Sequence, residues 1–379
     1  MNSETIKKKK ICFFSGDITR SGGTERVSLQ VARHLWKTEG FKVMFLSIVE
    51  QQEHPFFPIP DSIERHTLSP RKTWISPGAG YLPLVPKLRR FLKEQKPDVI
   101  IDIDTILDIL TVPAAKGLGT KVLAWEHFNY DYAWPSPLYR MFRKGISRFT
   151  SRYADYIVTL TERDTKNYRT RLGRKDRICT IYNPIELPSP KERLPRREQI
   201  LITVGRLTHV KGIDMLAELA PKVLSRHEDW TWYVLGEGED RGILEEVCRK
   251  HHLKNRLVLT GNVTDVPSWL RKSALYVMTS RAEGLPMCLL EAVGCGLPAV
   301  SFDIPTGPGE IIENGTTGFL IPPFDLEEME EKIELLIENK TLREAFSKNT
   351  GEVQDKFAPA CIFRQWEILL QQLSALSDE

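Results

Sequence analysis

The chain between Leu275 and Ala292 reads LYVMTSRAEGLPMCLLEA and changes from a strand pattern to a helix pattern. Its first residues, up to Met278, form an unbroken apolar run, which is typical of a strand buried on both faces of a parallel sheet. Gly284 then predicts a turn, and Pro286 favours the first position of a helix. A buried strand, a glycine turn and a helix in this order predict one repeating unit of an α/β domain.

Short apolar runs alternate with amphipathic stretches along the rest of the chain in the same way. The predicted strands lie at 10–14, 42–48, 98–102, 121–125, 156–160, 178–182, 199–204, 231–235, 256–260, 275–279, 298–302 and 318–321. A stretch with Asn183-Pro184, Pro188, Pro190 and Pro195 separates the two halves and is typical of a linker.

These patterns predict two doubly wound α/β domains that face one another across a central cleft. The first domain is expected over residues 1–187 and the second over 198–355. Residues 356–379 have helical spacing with no strand after them, so we expect a helix that packs back on the first domain.

Composition limits the class of protein. The 379 residues, of which 41% are hydrophobic and 27% charged, are typical of a globular protein of two domains, and no low-complexity tract is present. No apolar run approaches the roughly 20 residues that span a bilayer, and the run after Lys7–Lys10 is too short for a signal peptide, so we expect a cytoplasmic protein. The 6 cysteines form no C-x-x-C pair, which argues against a zinc site or a disulfide framework.

The charge is divided unevenly between the halves. Residues 1–187 carry 31 Lys and Arg against 20 Asp and Glu, a net charge of +11, and residues 188–379 carry 22 against 30, a net charge of −8. The basic half therefore suggests an anionic partner. Nucleic acid is disfavoured because no recognition module accompanies the charge.

Two glutamates flank the predicted helix start. Glu283 stands in the loop, and Glu291 lies about five residues into the helix. A helix start can hold a phosphate, so a diphosphate there would have one carboxylate toward a sugar and the other toward a ribose. The alternative is an ordinary solvated helix with a capping glutamate.

With Gly284 and Pro286 between them, Glu283 and Glu291 resemble the two-glutamate motif of family-4 retaining glycosyltransferases, which have the GT-B fold of two Rossmann-like domains. The resemblance covers nearly the whole chain. It implies that Glu283 contacts the transferred sugar and that Glu291 binds the ribose hydroxyls. It also implies that Gly284 and the backbone of Leu285 and Pro286 meet the diphosphate.

A second block runs from Val204 to Gly212. Its Arg206 and Lys211 resemble the pair of basic residues that binds the phosphates in the same family. Two fixed cations offset the charge that grows on a departing nucleoside diphosphate. The alternative is a pair of exposed basic residues on a loop.

The remaining blocks follow the family's order. Gly22 and Gly23 resemble its glycine-rich loop, and since the block fits neither the ATPase phosphate loop nor the dehydrogenase fingerprint, those activities are disfavoured. His127 matches the histidine that contacts the donor sugar, although a lone histidine after a strand is more often a structural hydrogen bonder. Gly238 and Val263 match positions beside the nucleotide.

Asp102-Ile103-Asp104 fits the D-x-D pattern that holds a metal in single-domain glycosyltransferases, but the pattern is short. We instead place these carboxylates at a strand end and expect neither a metal nor a cofactor, although Asp102 or Asp104 could touch an acceptor. Residues 138–153 mix apolar helical spacing with cations, which predicts either a face for anionic lipid or a helix with one solvated side.

The resemblance implies a metal-independent, retaining transfer of a hexose or N-acetylhexosamine from a nucleotide sugar, most simply a UDP-sugar. Residues 303–312, DIPTGPGEII, resemble the version of this block in transferases that build surface polysaccharide such as lipopolysaccharide, O-antigen or capsule. The expected acceptor is a lipid-linked saccharide at the inner face of a bacterial membrane. The alternatives are a nucleotide-sugar 2-epimerase on the same fold and a non-catalytic sugar-nucleotide-binding protein.

Overall fold

The computed structural model describes residues 8–70, 73, 75, 80–131, 136–185 and 197–375. The chain divides into two compact units. The first unit contains residues 1–184 and 360–379, and the second contains residues 185–359.

The first unit is built on a seven-stranded sheet in the order β3-β2-β1-β4-β5-β6-β7, and its neighbouring strands are parallel. The strands are β1 (Lys9–Ser15), β2 (Phe41–Ser47), β3 (Glu64–Thr67), β4 (Val99–Ile103), β5 (Lys121–Glu126), β6 (Tyr156–Thr159) and β7 (Ile178–Thr180). The helices that alternate with them are α1 (Gly23–Lys37), α2 (Leu84–Gln95), α3 (Asp108–Ala115), α4 (Pro137–Tyr153) and α5 (Glu162–Arg171).

The second unit repeats this plan with six parallel strands in the order β10-β9-β8-β11-β12-β13. Its strands are β8 (Ile200–Val204), β9 (Thr231–Leu235), β10 (Leu257–Gly261), β11 (Leu275–Met278), β12 (Ala299–Phe302) and β13 (Gly318–Ile321). Its helices are α6 (Ile213–Arg226), α7 (Arg241–Lys250), α8 (Val266–Lys272), α9 (Met287–Gly294), α10 (Pro308–Ile311), α11 (Leu326–Glu338), α12 (Lys340–Lys348) and α13 (Gly351–Lys356). The last helix, α14 (Pro359–Ala375), belongs almost entirely to the first unit.

The apolar strand residues form the core on both sheet faces. On β1, Cys12 and Phe14 pack with α2 and α3 on one face, and Phe13 contacts Phe45 of β2 on the other at 5.5 Å between ring centroids. Successive strand residues point to opposite faces, so a strand covered on both sides is apolar throughout. This explains why the unbroken apolar runs in the sequence are strands.

The prediction of two doubly wound α/β domains is confirmed, and each predicted strand ends within two residues of an observed one. The sequence reading missed β3, whose four residues, Glu64–Thr67, are polar and lie at the sheet edge. The prediction that Pro286 is the first helical residue was wrong, because Pro286 is the N-cap and α9 begins at Met287. The predicted linker prolines Pro188, Pro190 and Pro195 lie outside the described residues.

Among the residues that the structure describes, none of the helices is long and apolar enough to cross a bilayer.

Candidate active site

The strand order of the second unit reverses between β8 and β11, which are neighbours in its sheet. Ligands of doubly wound sheets bind beyond the carboxyl ends of the strands at such a reversal. The loop after β8 carries Arg206 and leads to Lys211, and the loop after β11 carries Glu283. The residues predicted from two distant sequence blocks therefore follow adjacent strands.

Lys211 and Glu283 are in direct contact. The Nζ atom of Lys211 lies 2.5 Å from Oε1 of Glu283, and the Glu283 side chain is only 10% exposed. Ser280 donates its hydroxyl to the same carboxylate oxygen at 2.7 Å, and Thr306 donates to the Glu283 backbone carbonyl at 2.6 Å. These bonds hold the carboxylate and its peptide in one orientation.

The loops that follow β8 and β11 are also joined to each other. The Thr279 hydroxyl donates to the Lys211 carbonyl at 3.0 Å, and the Arg281 amide donates to the Val210 carbonyl at 2.8 Å. The guanidinium of Arg281 makes two bonds of 2.6 Å to Asp214 on α6. This bidentate pair is geometrically specific, and it ties the loop after β11 to the first turn of α6, which follows Lys211 in the chain.

Gly212 allows the two loops to approach. It has a φ of +69°, and a Cβ atom there would lie 2.0 Å from the Thr279 carbonyl oxygen. Any side chain at this position would therefore combine a strained backbone with a collision against main-chain atoms.

Glu291 lies on α9, as the fifth residue of that helix, and its side chain is buried. The Tyr276 side chain of β11 interacts electrostatically with the carboxylates of both Glu283 and Glu291. Burial, followed by the nearby charges of Cys288 and the two glutamates, raises the pKa of Tyr276 well above its usual range. The two predicted carboxylates thus stand near one buried tyrosine, which the sequence reading did not identify.

The other predicted residues of the second unit lie at the same sheet edge. Arg206 has an exposed side chain and takes part in none of the ion pairs found among the described residues. Gly238 follows β9, and a Cβ atom there would lie 2.1 Å from the Leu207 carbonyl oxygen. Val263 follows β10 and is partly buried. Leu285 is buried, and Pro286 has no N–H group to offer a phosphate.

In the first unit, the predicted glycine loop leads directly into α1. Gly22 is the N-cap and Gly23 the first helical residue, and the Arg26 amide donates to the Gly22 carbonyl at 3.1 Å. A Cβ atom on Gly22 would lie 2.1 Å from the Glu25 carboxylate. Burial raises the pKa of Glu25.

His127 comes directly after β5, at the carboxyl edge of the first unit's sheet. Its ring lies 4.5 Å from the Trp125 ring between centroids. The ring is partly accessible, but its Nε2 atom is buried and has no hydrogen-bond partner among the described residues. Burial lowers the pKa of His127 to about 4, so the imidazole is neutral at pH 7.

A buried acid–arginine cluster beside His127 was not predicted. Nη1 of Arg143 lies 2.9 Å from Oδ1 of Asp104, and Nη2 lies 3.8 Å from Oε1 of Glu126. Asp104 has a φ of +96°, which is a strained conformation for a residue other than glycine. Burial raises the pKa of Glu126 to about 7. The sequence left open whether residues 138–153 form a basic face or a helix with one solvated side, and the structure buries the side chain of Arg143 in this cluster.

The D-x-D aspartates do lie at a strand end, as predicted. Asp102 is the fourth residue of β4 and is fully buried, and it accepts a hydrogen bond from Thr111. Burial, followed by the charge of Asp108, raises the pKa of Asp102 well above its usual range. A buried carboxyl of this kind cannot touch an acceptor, which leaves Asp104 as the accessible member of the pair. Within the described ranges no group of three or more His, Cys, Asp or Glu could hold a metal ion.

Two family models match the chain. The model described as Glycosyltransferase Family 4 matches residues 21–188, and the model described as Glycosyl transferases group 1 matches residues 185–353. An uncharacterized glycosyltransferase of Haemophilus influenzae is 30% identical over 96% of this chain and 100% of its own length. The chain therefore belongs to the group 1 glycosyltransferases of family 4, and the family expected from the two-glutamate motif is confirmed.

Other relatives have more specific names. The amylovoran biosynthesis glycosyltransferase AmsD of Erwinia amylovora is 24% identical over 95% of this chain and 99% of its own length. A lipopolysaccharide 1,6-galactosyltransferase of Escherichia coli is 28% identical over 63% of this chain and 65% of its own length. Among solved structures, Anabaena HepE in complex with UDP is similar with a TM-score of 0.75 and 20% identity, covering 96% of this chain and 100% of that one. This likeness supports the GT-B fold, as predicted.

Proposed function

We propose that the second unit binds a nucleotide sugar, most simply a UDP-sugar, and that the protein transfers its hexose or N-acetylhexosamine with retention of configuration. The observation that carries the proposal is the 2.5 Å contact of Lys211 with Glu283 at the carboxyl edge of the sheet. This contact supports the proposal because one donor molecule needs a cation near its diphosphate and a hydrogen-bond acceptor near its sugar.

Lys211 and Arg206 stabilise the leaving group in this proposal. When the bond between the sugar C1 and the diphosphate oxygen breaks, negative charge grows on the diphosphate. Fixed cations aimed at developing charge are usually the largest catalytic contribution. Because these two side chains supply that positive charge, the proposed reaction needs no resident metal and no cofactor.

Glu283 and Glu291 bind the two sugars of the donor. Glu283, held by Ser280 and by Lys211, accepts hydrogen bonds from hydroxyls of the transferred sugar. Glu291 accepts hydrogen bonds from the ribose. The backbone around Gly284 and Leu285 lies between them and faces the diphosphate, and Gly238 and Val263 flank the nucleotide.

The retaining step follows from the family resemblance. The bond from C1 to the diphosphate breaks as the bond from C1 to the acceptor oxygen forms on the same face of the sugar. The acceptor proton passes to an oxygen of the departing diphosphate, so the step balances without a protein nucleophile. Gly22, Gly23 and His127 of the first unit contact the diphosphate and the donor sugar in this scheme.

The substrate class is inferred from the relatives. The names of the Erwinia and Escherichia coli relatives refer to amylovoran and to lipopolysaccharide, and the similar HepE structure contains UDP. We therefore propose a UDP-sugar donor and a lipid-linked saccharide acceptor in surface-polysaccharide synthesis.

A peripheral contact with the inner face of an anionic cell membrane completes the proposal. On α4 the side chains of Leu138 and Met141 are 72% and 66% exposed, and Arg140, Arg148 and Arg152 are exposed beside them. Apolar and cationic side chains exposed on one helix are typical of interfacial binding. Flotation with vesicles containing phosphatidylglycerol should carry the protein upward at low salt. Replacing Leu138 and Met141 with serine should reduce flotation, and equal flotation of that variant would contradict the contact.

The nucleotide-sugar proposal is tested with a panel of UDP-, GDP- and ADP-sugars. We expect slow release of free nucleotide from one donor class, a thermal shift with the matching nucleoside diphosphate, and faster release when a saccharide acceptor is added. The glycosidic product should keep the anomeric configuration of the donor by NMR. Conversion of the donor to its 2-epimer without an acceptor product would instead support the epimerase, and binding without turnover would support the non-catalytic alternative.

A further inference from the structure

An aromatic stack in the first unit connects the last helix to His127. The Trp366 ring of α14 lies 4.6 Å from the Trp125 ring of β5 in an edge-to-face arrangement. The Trp125 ring in turn lies 4.5 Å from the His127 ring. The Trp125 ring therefore lies in contact with both of the other rings. We call Trp366, Trp125 and His127 the aromatic stack.

The buried ring nitrogen atoms of the stack form no hydrogen bonds with the described residues. The Nε1 atoms of Trp125 and Trp366 and the Nε2 atom of His127 are buried, and none of them has a hydrogen-bond partner among the described residues. Both tryptophans are 0% exposed. The protein contact that the structure shows for the His127 ring is its packing against the Trp125 ring.

The helix that supplies Trp366 is fixed to the rest of the unit by the next residue. Oε1 of Glu367 lies 2.6 Å from Nε2 of His34 on α1, and the His34 ring stacks on Phe363 at 4.3 Å between centroids. The start of the same α1 carries Gly22 and Gly23. One face of α14 thus packs on Trp125, two residues before His127, and on the last turn of α1.

We propose that Trp366 is a positioning residue, which fixes the Trp125 ring and through it the orientation in which His127 meets the donor sugar. The inference rests on the proposed function, in which His127 contacts that sugar. Trp366 itself touches no substrate in this scheme. A neutral imidazole can both donate and accept a hydrogen bond, so its contribution depends on the direction in which its two nitrogen atoms point.

Trp366→Ala is compared with Trp366→Phe and with Leu373→Ala, a buried residue of the same helix that lies about two turns further on. All three variants remove packing from α14, but only Trp366→Ala removes the ring that supports Trp125. We expect kcat to fall about tenfold or more in Trp366→Ala, since a misplacement of about 1 Å can reduce a rate by as much as 100-fold. Trp366→Phe should stay within about threefold of the wild-type kcat, and Leu373→Ala should lower Tm while leaving kcat within about twofold. Equal kcat losses in Trp366→Ala and Leu373→Ala would overturn the inference.

A double-mutant cycle identifies the route of the effect. If Trp366 acts through His127, Trp366→Ala should change kcat by less than twofold in a His127→Ala background, although it lowers kcat in the wild-type background. Independent, multiplicative losses would show that Trp366 acts by another route and would overturn the positioning role.

A readout without turnover separates this inference from the proposed function. In ring-labelled protein, the His127 imidazole resonances should shift in Trp366→Ala and hardly change in Leu373→Ala. Unchanged His127 resonances in Trp366→Ala would overturn the positioning role even if the enzyme transfers sugars. Conversely, no turnover of any donor by the wild type would refute the proposed function, whatever the resonances show.

Discussion

The positive charge of Lys211 lies beside the negative charge of Glu283, and the proposed reaction uses both. The Lys211 side chain is 32% exposed, and its ammonium contacts the nearly buried carboxylate of Glu283 at 2.5 Å. A bound diphosphate would give the same ammonium a second anionic partner. Lys211 would then link the sugar-binding carboxylate to the leaving group.

Replacing Lys211 with methionine should lower kcat by about 100- to 1,000-fold, because one charge aimed at the leaving group is lost. The long apolar side chain keeps most of the packing, so circular dichroism should be unchanged. The matched control is Lys222→Met on α6, where Lys222 forms an exposed pair with Glu218 at 3.1 Å. Its kcat should stay within about twofold of the wild type. A normally folded Lys211→Met enzyme with near wild-type turnover would remove Lys211 from the mechanism.

Among individual residues, the sequence pointed to the charged side chains but not to the residues that hydrogen-bond to them. Glu283 and Lys211 were singled out because each stands in a short block after a strand that resembles a motif of the family. Ser280 and Thr306 could not be given a role, since hydroxyl residues are common in loops and only the fold shows which carboxylate they bond. The helix of Arg143 is so rich in cations that the sequence does not tell which of them are buried, and only the structure shows Asp104 and Glu126 beside Arg143.

At the level of the structural elements, the site depends on close contact between the loops after β8 and β11. Gly212 lies against the Thr279 carbonyl, and the Arg281–Asp214 pair closes the same junction. These contacts position Lys211 relative to Glu283 before any substrate contributes.

Gly212→Ala should therefore destabilise the protein more than a comparable change elsewhere. Gly315→Ala is the matched control, because Gly315 has a φ of +77° and a Cβ atom there would meet nothing within 4 Å. Both variants carry the left-handed strain of about 1–2 kcal/mol. Gly212→Ala adds the collision with Thr279, which we expect to cost about 1–3 kcal/mol more in the free energy of unfolding measured with urea.

Equal destabilisation in the two glycine variants would show that the loop contact does not matter for stability. A further expectation for Gly212→Ala is a lower kcat, since Lys211 precedes the changed residue, whereas Gly315→Ala should keep its kcat.

The elements themselves were largely predictable because their apolar residues are buried. The strands covered by helices on both faces are continuous apolar runs, so the sequence pattern located them. The edge strand Glu64–Thr67 has a polar sequence, and its pairing with β2 alone makes it a strand. Pro286 fits both an N-cap and a first helical position, so its residue type did not fix where α9 starts.

On the scale of the whole molecule, each of the two units is a complete doubly wound sheet, and a different family model covers most of each. The sequence also divides its charge, with +11 over residues 1–187 and −8 over residues 188–379. We expect the basic part to favour anionic acceptors or membranes. In the proposed reaction the acidic part holds a diphosphate through local cations, for which we propose Arg206 and Lys211.

The central claim is that these two cations and the two glutamates bind one nucleoside diphosphate sugar. The most direct measurement is a crystal structure of the protein with UDP. We expect the β-phosphate within hydrogen-bonding distance of Lys211 and Arg206, and the ribose hydroxyls within hydrogen-bonding distance of the Glu291 carboxylate. UDP bound away from Arg206 and Glu291 would contradict this claim.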